Sequence, residues 1–166
     1  MKKALLIGGA GFIGYHLARD LADRGLRIDL LDNFSRGTED QDLGALCRRA
    51  GVKLLRKDLL RPESLSEVDD DYDVLFHLAA IVGVRNVTER PFAVLRENLA
   101  MMLNVIDLAR RQKALQRLVF TSTSEVYAGT LEHFRLPLPT PEETPLALTA
   151  LDSPRTSYML SKIYGE

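Results

Sequence analysis

Ala4-Leu5-Leu6-Ile7-Gly8-Gly9-Ala10-Gly11-Phe12-Ile13-Gly14 carries an apolar run into a glycine-rich turn, and a helical pattern follows over 12–24. Gly8 permits a tight turn after a strand, Gly11 lets the backbone approach a pyrophosphate with no Cβ in the way, and Gly14 lets the helix pack closely on a sheet. Phosphate oxygens would meet free N–H groups at the positive end of a helix dipole. The same alternation recurs downstream. Apolar runs at 28–31, 52–55, 74–78 and 118–121 read as strands buried on both faces. Helical patterns at 40–50, 63–68 and 92–112 lie between them, and Leu95, Leu99, Met102, Leu103 and Ile106 are the expected core face of the last. The pattern predicts right-handed βαβ units in a doubly wound parallel α/β sheet. From 128 to 155, Pro137, Pro139, Pro141, Pro145 and Pro154 predict a surface loop leading into a last helix that begins near Thr156.

At 166 residues the chain is expected to form one domain, and its 46% hydrophobic and 27% charged content excludes disorder. A formal net charge of -1 gives no electrostatic case for nucleic acid or an anionic membrane as partner, so an anionic ligand must be held locally. Cys47 is the single cysteine, which excludes an internal disulfide framework and a Cys-rich metal site; a buried structural thiol is its expected role, and no metal is expected. The apolar stretch after Met1-Lys2-Lys3 runs into the glycine turn instead of a long signal-type core, and no later run could span a bilayer. A cytoplasmic location is the expectation.

Asp32 follows the second strand, 18 positions beyond Gly14, where an acid would accept hydrogen bonds from both hydroxyls of an adenosine ribose and repel a 2′-phosphate. NAD is therefore expected over NADP. Two other readings stand beside this one: Asp32-Asn33 as a turn former, and Arg36 as a guanidinium able to take the phosphate of NADP. Asp58, after the third strand, reads either as an adenine contact or as a loop or capping residue.

Tyr158 and Lys162 are four apart on the last helix and share a face, so the ammonium can lie near the phenol. A tyrosine with a pKa of about 10 is a poor base at neutral pH, and a nearby positive charge favours the phenolate. The same spacing occurs in ordinary surface pairs. Here it follows a glycine loop and the run Thr121-Ser122-Thr123-Ser124-Glu125-Val126-Tyr127, which makes a catalytic pair the expectation. Thr123 and Glu125 are two apart at a strand end; extended geometry would point both to one side.

The glycine loop, Asp32-Asn33, Asp58-Leu59, His77-Leu78-Ala79-Ala80, Asn98, the Thr121 to Tyr127 string and Tyr158-x-x-x-Lys162 occur in an order that resembles the extended short-chain dehydrogenase/reductase family, in its nucleotide-sugar epimerase/dehydratase group. The resemblance covers essentially the whole chain and does not point to one substrate. Ile7 stands where that family usually has Thr. The resemblance implies a Rossmann-type NAD-binding domain over 1–166, truncated before its last strands and a small C-terminal substrate domain. Implied cofactor-binding residues are Gly8, Gly11, Phe12, Ile13, Gly14, Asp32, Asn33, Arg36, Asp58, Leu59, Leu78, Ala79, Ala80, Asn98, Tyr158 and Lys162. Thr123 takes the Ser/Thr position that hydrogen-bonds the reacting hydroxyl, with Ser124 as the nearby alternative, and Asn98 is expected to stabilise main chain near the site. His77 reads as a packed core histidine.

The implied chemistry is removal of a proton from a sugar hydroxyl by Tyr158 during hydride transfer, giving a keto-sugar nucleotide that is later reduced again. A 4-epimerase is the first expectation, because Tyr158-Met159-Leu160-Ser161-Lys162 looks like epimerases. A decarboxylase or dehydratase using Glu125 is the alternative, since Thr-Ser-Glu-Val-Tyr resembles decarboxylases. A noncatalytic dinucleotide sensor is the alternative of another class. The partners implied are a nucleotide sugar and, as in many family members, a second copy docked through the helices near 92–112 and 156–166.

Overall fold

Five short parallel strands, β1 (Lys3–Ile7), β2 (Arg27–Asp32), β3 (Val52–Arg56), β4 (Val74–His77) and β5 (Arg117–Phe120), form a sheet in the order β3-β2-β1-β4-β5. The computed structural model describes residues 1–166, which divide into two compact units: 1–80 with 103–121, and 81–102 with 122–166. The sheet belongs wholly to the first. β1 is buried along its length because it is the central strand, with Ala4 opposite Ile28 on one side and Val74 on the other. Strand order reverses at β1, and in such sheets the crevice beyond the carboxyl ends at the reversal is where ligands bind.

α1 (Phe12–Asp23) and α2 (Gln41–Cys47) complete the connections around β2. Ala4, Leu6, Ala18, Ile28, Leu30, Leu43, Leu46 and Val74 form one buried cluster. Cys47 packs against it and is only half-buried, so the expected thiol role holds in part. Asp40 caps α2 by accepting from the Leu43 N–H at 2.8 Å, and the helix ends at Cys47, short of the expected 50. The helix expected over 63–68 is a single 3-10 turn at Pro62–Leu65. Asp29 interrupts the apolar run of β2 and is buried; Tyr72 donates its hydroxyl to it at 2.5 Å, and the Lys3 ammonium lies 4.0 Å away. That pairing makes a carboxylate tolerable inside a sheet.

The next helices are α3 (Val84–Glu89) and the long α4 (Pro91–Arg110). α3 is absent from the sequence reading, because Val84 and Val87 alone gave too little periodicity. On α4 the fully buried stripe is Val94, Asn98, Met101, Val105 and Leu108, joined by Met102. Of the expected face only Met102 is fully buried; Leu95, Leu99 and Ile106 are half-buried and Leu103 is 48% exposed. Apolar residues flank both stripes, so periodicity alone chose a face about one residue round the helix.

In the second unit a 3-10 turn at Ser124–Tyr127 leads into α5 (Ala128–His133), and the unit ends in α6 (Thr156–Gly165). The expectation of a surface loop from 128 is therefore corrected at its start: 128–133 is helical, and Gly129 and Thr130 are buried. The proline-rich segment covers them. Thr130 Oγ1 donates to the Pro145 carbonyl at 2.7 Å and accepts from the Ala147 N–H at 3.0 Å. A Cβ on Gly129 would stand 2.0 Å from the Ala147 oxygen, so only glycine admits this approach.

Candidate functional site

In the first unit the glycine turn closes β1. Gly8 has φ +85°, and a Cβ there would lie 2.8 Å from the Ala79 nitrogen, so the turn and the Leu78-Ala79-Ala80 segment run backbone against backbone. At Gly14 a Cβ would come within 2.4 Å of the Gly8 oxygen. Gly11 differs. A Cβ there would meet nothing closer than Gly8 O at 3.4 Å, so the protein's own packing does not demand glycine at that position. The space above it suits an approaching ligand.

Gly11 is also the N-cap of α1 and offers no side-chain acceptor, so first-turn N–H groups, those of Phe12 and Ile13 among them, have no intrahelical partner. Asp32 is buried and accepts from the Ala10 N–H at 2.9 Å and the Phe34 N–H at 2.8 Å. Each of its oxygens keeps a further lone pair, as a ribose diol requires. The Asp32 carboxylate thus holds the turn as well, so the turn-former reading and the ribose reading coexist. An anion cradle bare of capping side chains, beside a carboxylate with spare acceptor capacity, fits the diphosphate and ribose of a dinucleotide.

The remaining expected cofactor residues are less committed. Asn33 is exposed and its side chain accepts from the Ser35 N–H; Arg36 is exposed and forms no ion pair. Asp58 accepts from the Leu60 N–H at 3.0 Å, forming a local turn, while Leu59 is buried and its carbonyl accepts from Asn104 at 2.6 Å. His77 is buried with its ring 5.7 Å from that of Phe120, as expected of a packed histidine.

In the second unit Thr123, Glu125 and Tyr158 line one cavity of about 260 Å³ with Val82, Gly83, Val84, Val87 and Arg155. The extended geometry expected for Thr123 and Glu125 does not persist, because β5 ends at Phe120 and 124–127 is a 3-10 turn. They still face one space: Thr123 caps that turn, its Oγ1 accepting from the Glu125 N–H at 3.3 Å. Ser124 is exposed and does not line the cavity. Arg155 and the valines were missed in the sequence, which gives no sign that 82–87 and 155 meet.

Lys162 is buried at 4% exposure, its ammonium 5.8 Å from the centre of the Tyr158 ring, and burial lowers its pKa to about 8. Tyr158 is raised above the ordinary phenol value by burial first and by the Glu125 carboxylate second; its hydrogen bond with Thr123 pulls the other way. The expectation assigns the help towards phenolate to Lys162 and oxidised nicotinamide together; burial of the ring and the Glu125 carboxylate act against it. Asn98 accepts from the Ile81 N–H at 2.8 Å and donates to the Ile81 carbonyl at 3.1 Å and to Ser161 Oγ at 3.2 Å. Both its N–H donors are used, so Asn98 acts as a clamp on main chain and on α6.

A switch-point sheet with a glycine turn at the start of α1, a Thr at the cap of a 3-10 turn, and a Tyr and Lys one turn apart on α6 define a nicotinamide-dinucleotide protein of the short-chain dehydrogenase type. The chain belongs to the NAD dependent epimerase/dehydratase family, whose model matches residues 4–166. It is 35% identical over 128 residues to a UDP-N-acetyl-alpha-D-glucosaminuronate decarboxylase of Bacillus cytotoxicus, covering 76% of this chain and 38% of that protein. A crystal structure of UDP-galactose 4-epimerase superposes with TM-score 0.77 at 31% identity, over 99% of this chain and 49% of that one. The UDP-glucose 4-epimerase of Thermus thermophilus, solved with NAD, gives 0.71 at 28% identity over 98% and 48%. The chain thus spans about half the length of these solved relatives, and less of the decarboxylase. No helix is long and apolar enough to cross a membrane.

Proposed function

We propose that this chain binds NAD and carries the oxidising machinery of a nucleotide-sugar 4-epimerase, with residues 1–166 as the cofactor-binding domain. The observation that carries the reading is one cavity holding Thr123, Glu125 and Tyr158, with Lys162 buried beside the tyrosine. Its volume, about 260 Å³, equals roughly nine waters and suits one sugar ring. NAD, when bound, supplies the hydride acceptor and later returns the hydride. Phe12 and Ile13 N–H groups would hold its diphosphate and Asp32 its ribose. Thr123 would orient the sugar hydroxyl, and Tyr158 would take its proton during oxidation and give it back on reduction. The Lys162 charge favours the phenolate that this requires. Asn98 keeps α6 and the Ile81 main chain in place.

An epimerase must let the keto-sugar turn over before reduction. A wall of Val82, Val84, Val87 and Gly83 gives the ring few anchors, and Glu125 is the single carboxylate, where eliminating water needs a further acid and base. Glu125 favours a second reading, decarboxylation of a nucleotide-linked hexuronic acid, supported also by the likeness to the Bacillus protein. We further propose that two copies pair through α4 and α6 and that the protein works in the cytoplasm. The test supplies UDP-glucose or UDP-galactose to the NAD-loaded protein and follows sugar interconversion by chromatography. Interconversion that is lost in Tyr158→Phe supports the reading; NAD binding with no sugar turnover leaves a sensor instead.

A further inference from the structure

Residues 145–150 are hydrogen-bonded at one end to α5 and at the other to α6, and the proposed chemistry uses neither attachment. The 3-10 turn at Ser124–Tyr127 runs without a break into α5, and the Ala147 oxygen stands where a Cβ on Gly129 would be, 2.0 Å away. The segment therefore crosses α5 in backbone contact. Thr130 fixes the crossing: its buried hydroxyl donates to the Pro145 carbonyl at 2.7 Å and accepts from the Ala147 N–H at 3.0 Å. One turn further along α5, His133 Nε2 donates to the Leu148 carbonyl at 3.1 Å. The other end is fastened to α6. Buried Thr156, the first residue of that helix, donates its hydroxyl to the Ala150 carbonyl at 2.7 Å, so in its 2.8 Å contact with Thr149 Oγ1 it is Thr149 that donates. Two buried threonine hydroxyls, each donating and accepting, thus bound a strap between the two helices.

We infer that Thr130 is a positioning residue, which through the 145–150 strap holds Tyr158 against Thr123 and Glu125 and so sets the width of their cavity. Its use in catalysis rests on the reading that Tyr158 is the proton-transfer group. The polar groups of the cavity come from two pieces of chain: Thr123 and Glu125 from the turn that opens into α5, Arg155 and Tyr158 from the start of α6. Thr156 lies between the latter two, so the strap that holds it places both. Thr130→Val keeps the shape of the side chain and leaves the Pro145 carbonyl and the Ala147 N–H without their partner. Those two groups regain partners only by moving out to water, and the start of α6 follows them. Around the Tyr158 ring stand Thr123 and Glu125 from the turn, and Arg155 and Lys162 from α6. Burial first and Glu125 second raise the phenol, while the Thr123 hydrogen bond lowers it. A wider cavity relieves the two larger influences, so the phenol ionises more easily.

Tyrosine labelled at the carbon bearing the hydroxyl is titrated by nuclear magnetic resonance in the unsubstituted protein, Thr130→Val and Thr130→Ser, with Tyr158→Phe identifying the signal. The expected result is an acid dissociation constant of Tyr158 about three- to tenfold larger in Thr130→Val and close to the parent value in Thr130→Ser. A role for Thr130 in stability alone gives another pattern. Urea unfolding would then show Thr130→Val weakened with the Tyr158 titration unmoved, and that outcome, or a smaller dissociation constant, overturns the inference. If Thr130→Val does not fold, His133→Ala removes one exposed bond to the same strap and should move Tyr158 in the same direction by about twofold. No movement there overturns the inference equally. Turnover of UDP-glucose by the NAD-loaded protein reports separately on the catalytic reading: its absence, with the Tyr158 change present and reversed by serine, removes the chemistry and leaves the positioning.

Discussion

The Lys162 ammonium lies 5.8 Å from the centre of the Tyr158 ring, one helical turn along α6, and is almost wholly buried. Burial lowers its pKa to about 8, so the folded protein resists charging the group that the tyrosine needs charged. The unfolded chain binds that proton up to a pKa of about 10.4. Between these values the unfolded state holds more protons, so this group's contribution to stability rises with pH across the window. Below about pH 8 the burial cost is present in full, up to about 3 kcal/mol. Lys162→Met should therefore be more stable than the parent at pH 7, with the gap closing towards pH 10, and should have no turnover. Thermal unfolding of both proteins at the two pH values measures this; a gap that widens with pH would contradict it.

The three glycines of the turn should separate folding from binding. A Cβ on Gly14 would meet Gly8 O at 2.4 Å and Gly9 Cα at 2.7 Å, all backbone, so Gly14→Ala should cost about 2–4 kcal/mol of stability. Gly8→Ala adds the strain of φ +85° to a similar clash with Ala79. Gly11→Ala should fold with a midpoint near that of the parent and lose most NAD affinity, because its Cβ would occupy the space of the diphosphate. Calorimetry with NAD beside urea unfolding checks it. Loss of stability without loss of affinity at Gly11 would remove the diphosphate from that place.

The sheet was legible because β1, β2 and β4 are buried on both faces and leave largely apolar runs; the edge strands β3 and β5 are only half-buried, against the expectation, yet keep enough apolar residues that each boundary lies within about a residue or two of the reading. The candidate site's parts were legible where their placement is local in sequence: Gly8 to Gly14 form the turn between β1 and α1, and Tyr158 and Lys162 lie one turn apart on α6. It was not legible where tertiary packing decides. Gly129 and Thr130 are buried because 145–147 crosses them, which no local pattern shows. Asp29 reads as an error in β2 until Tyr72 and Lys3 are seen against it. Arg155 joins the cavity only through the fold. The raised phenol of Tyr158 likewise depends on how deeply its ring is buried and on Glu125 across the same space.

Asp32 should set both cofactor choice and local stability. Asp32→Ala leaves the Ala10 and Phe34 N–H groups without their acceptor, at about 1–3 kcal/mol for each group that stays buried. The same change removes the charge that would face a 2′-phosphate, so NAD should bind more weakly and the NAD-to-NADP preference should narrow. Fluorescence titration with both cofactors decides. Tighter NADP than NAD binding by the unsubstituted protein would reverse the assignment and bring exposed Arg36 forward as the phosphate ligand.

Glu125 distinguishes the two proposed reactions. Its carboxylate raises the Tyr158 pKa, because a phenolate beside a negative charge is disfavoured. Glu125→Gln removes that charge and keeps the shape, so the Tyr158 pKa should fall and the acid limb of the rate of hydride transfer should move to lower pH. That shift is expected under either reaction, since it concerns the first proton removal alone. The later steps differ. In a 4-epimerase the variant should still interconvert UDP-hexoses, because nothing after oxidation needs the carboxylate. In a decarboxylase the variant should still form reduced nicotinamide from UDP-glucuronic acid and should release no carbon dioxide. Stopped-flow absorbance across pH 6 to 9, with trapped carbon dioxide counted from labelled substrate, reads both steps in one preparation. Carbon dioxide release by the parent that disappears in Glu125→Gln would replace the epimerase reading with the decarboxylase, and a pH profile that does not move would take Glu125 out of contact with the tyrosine.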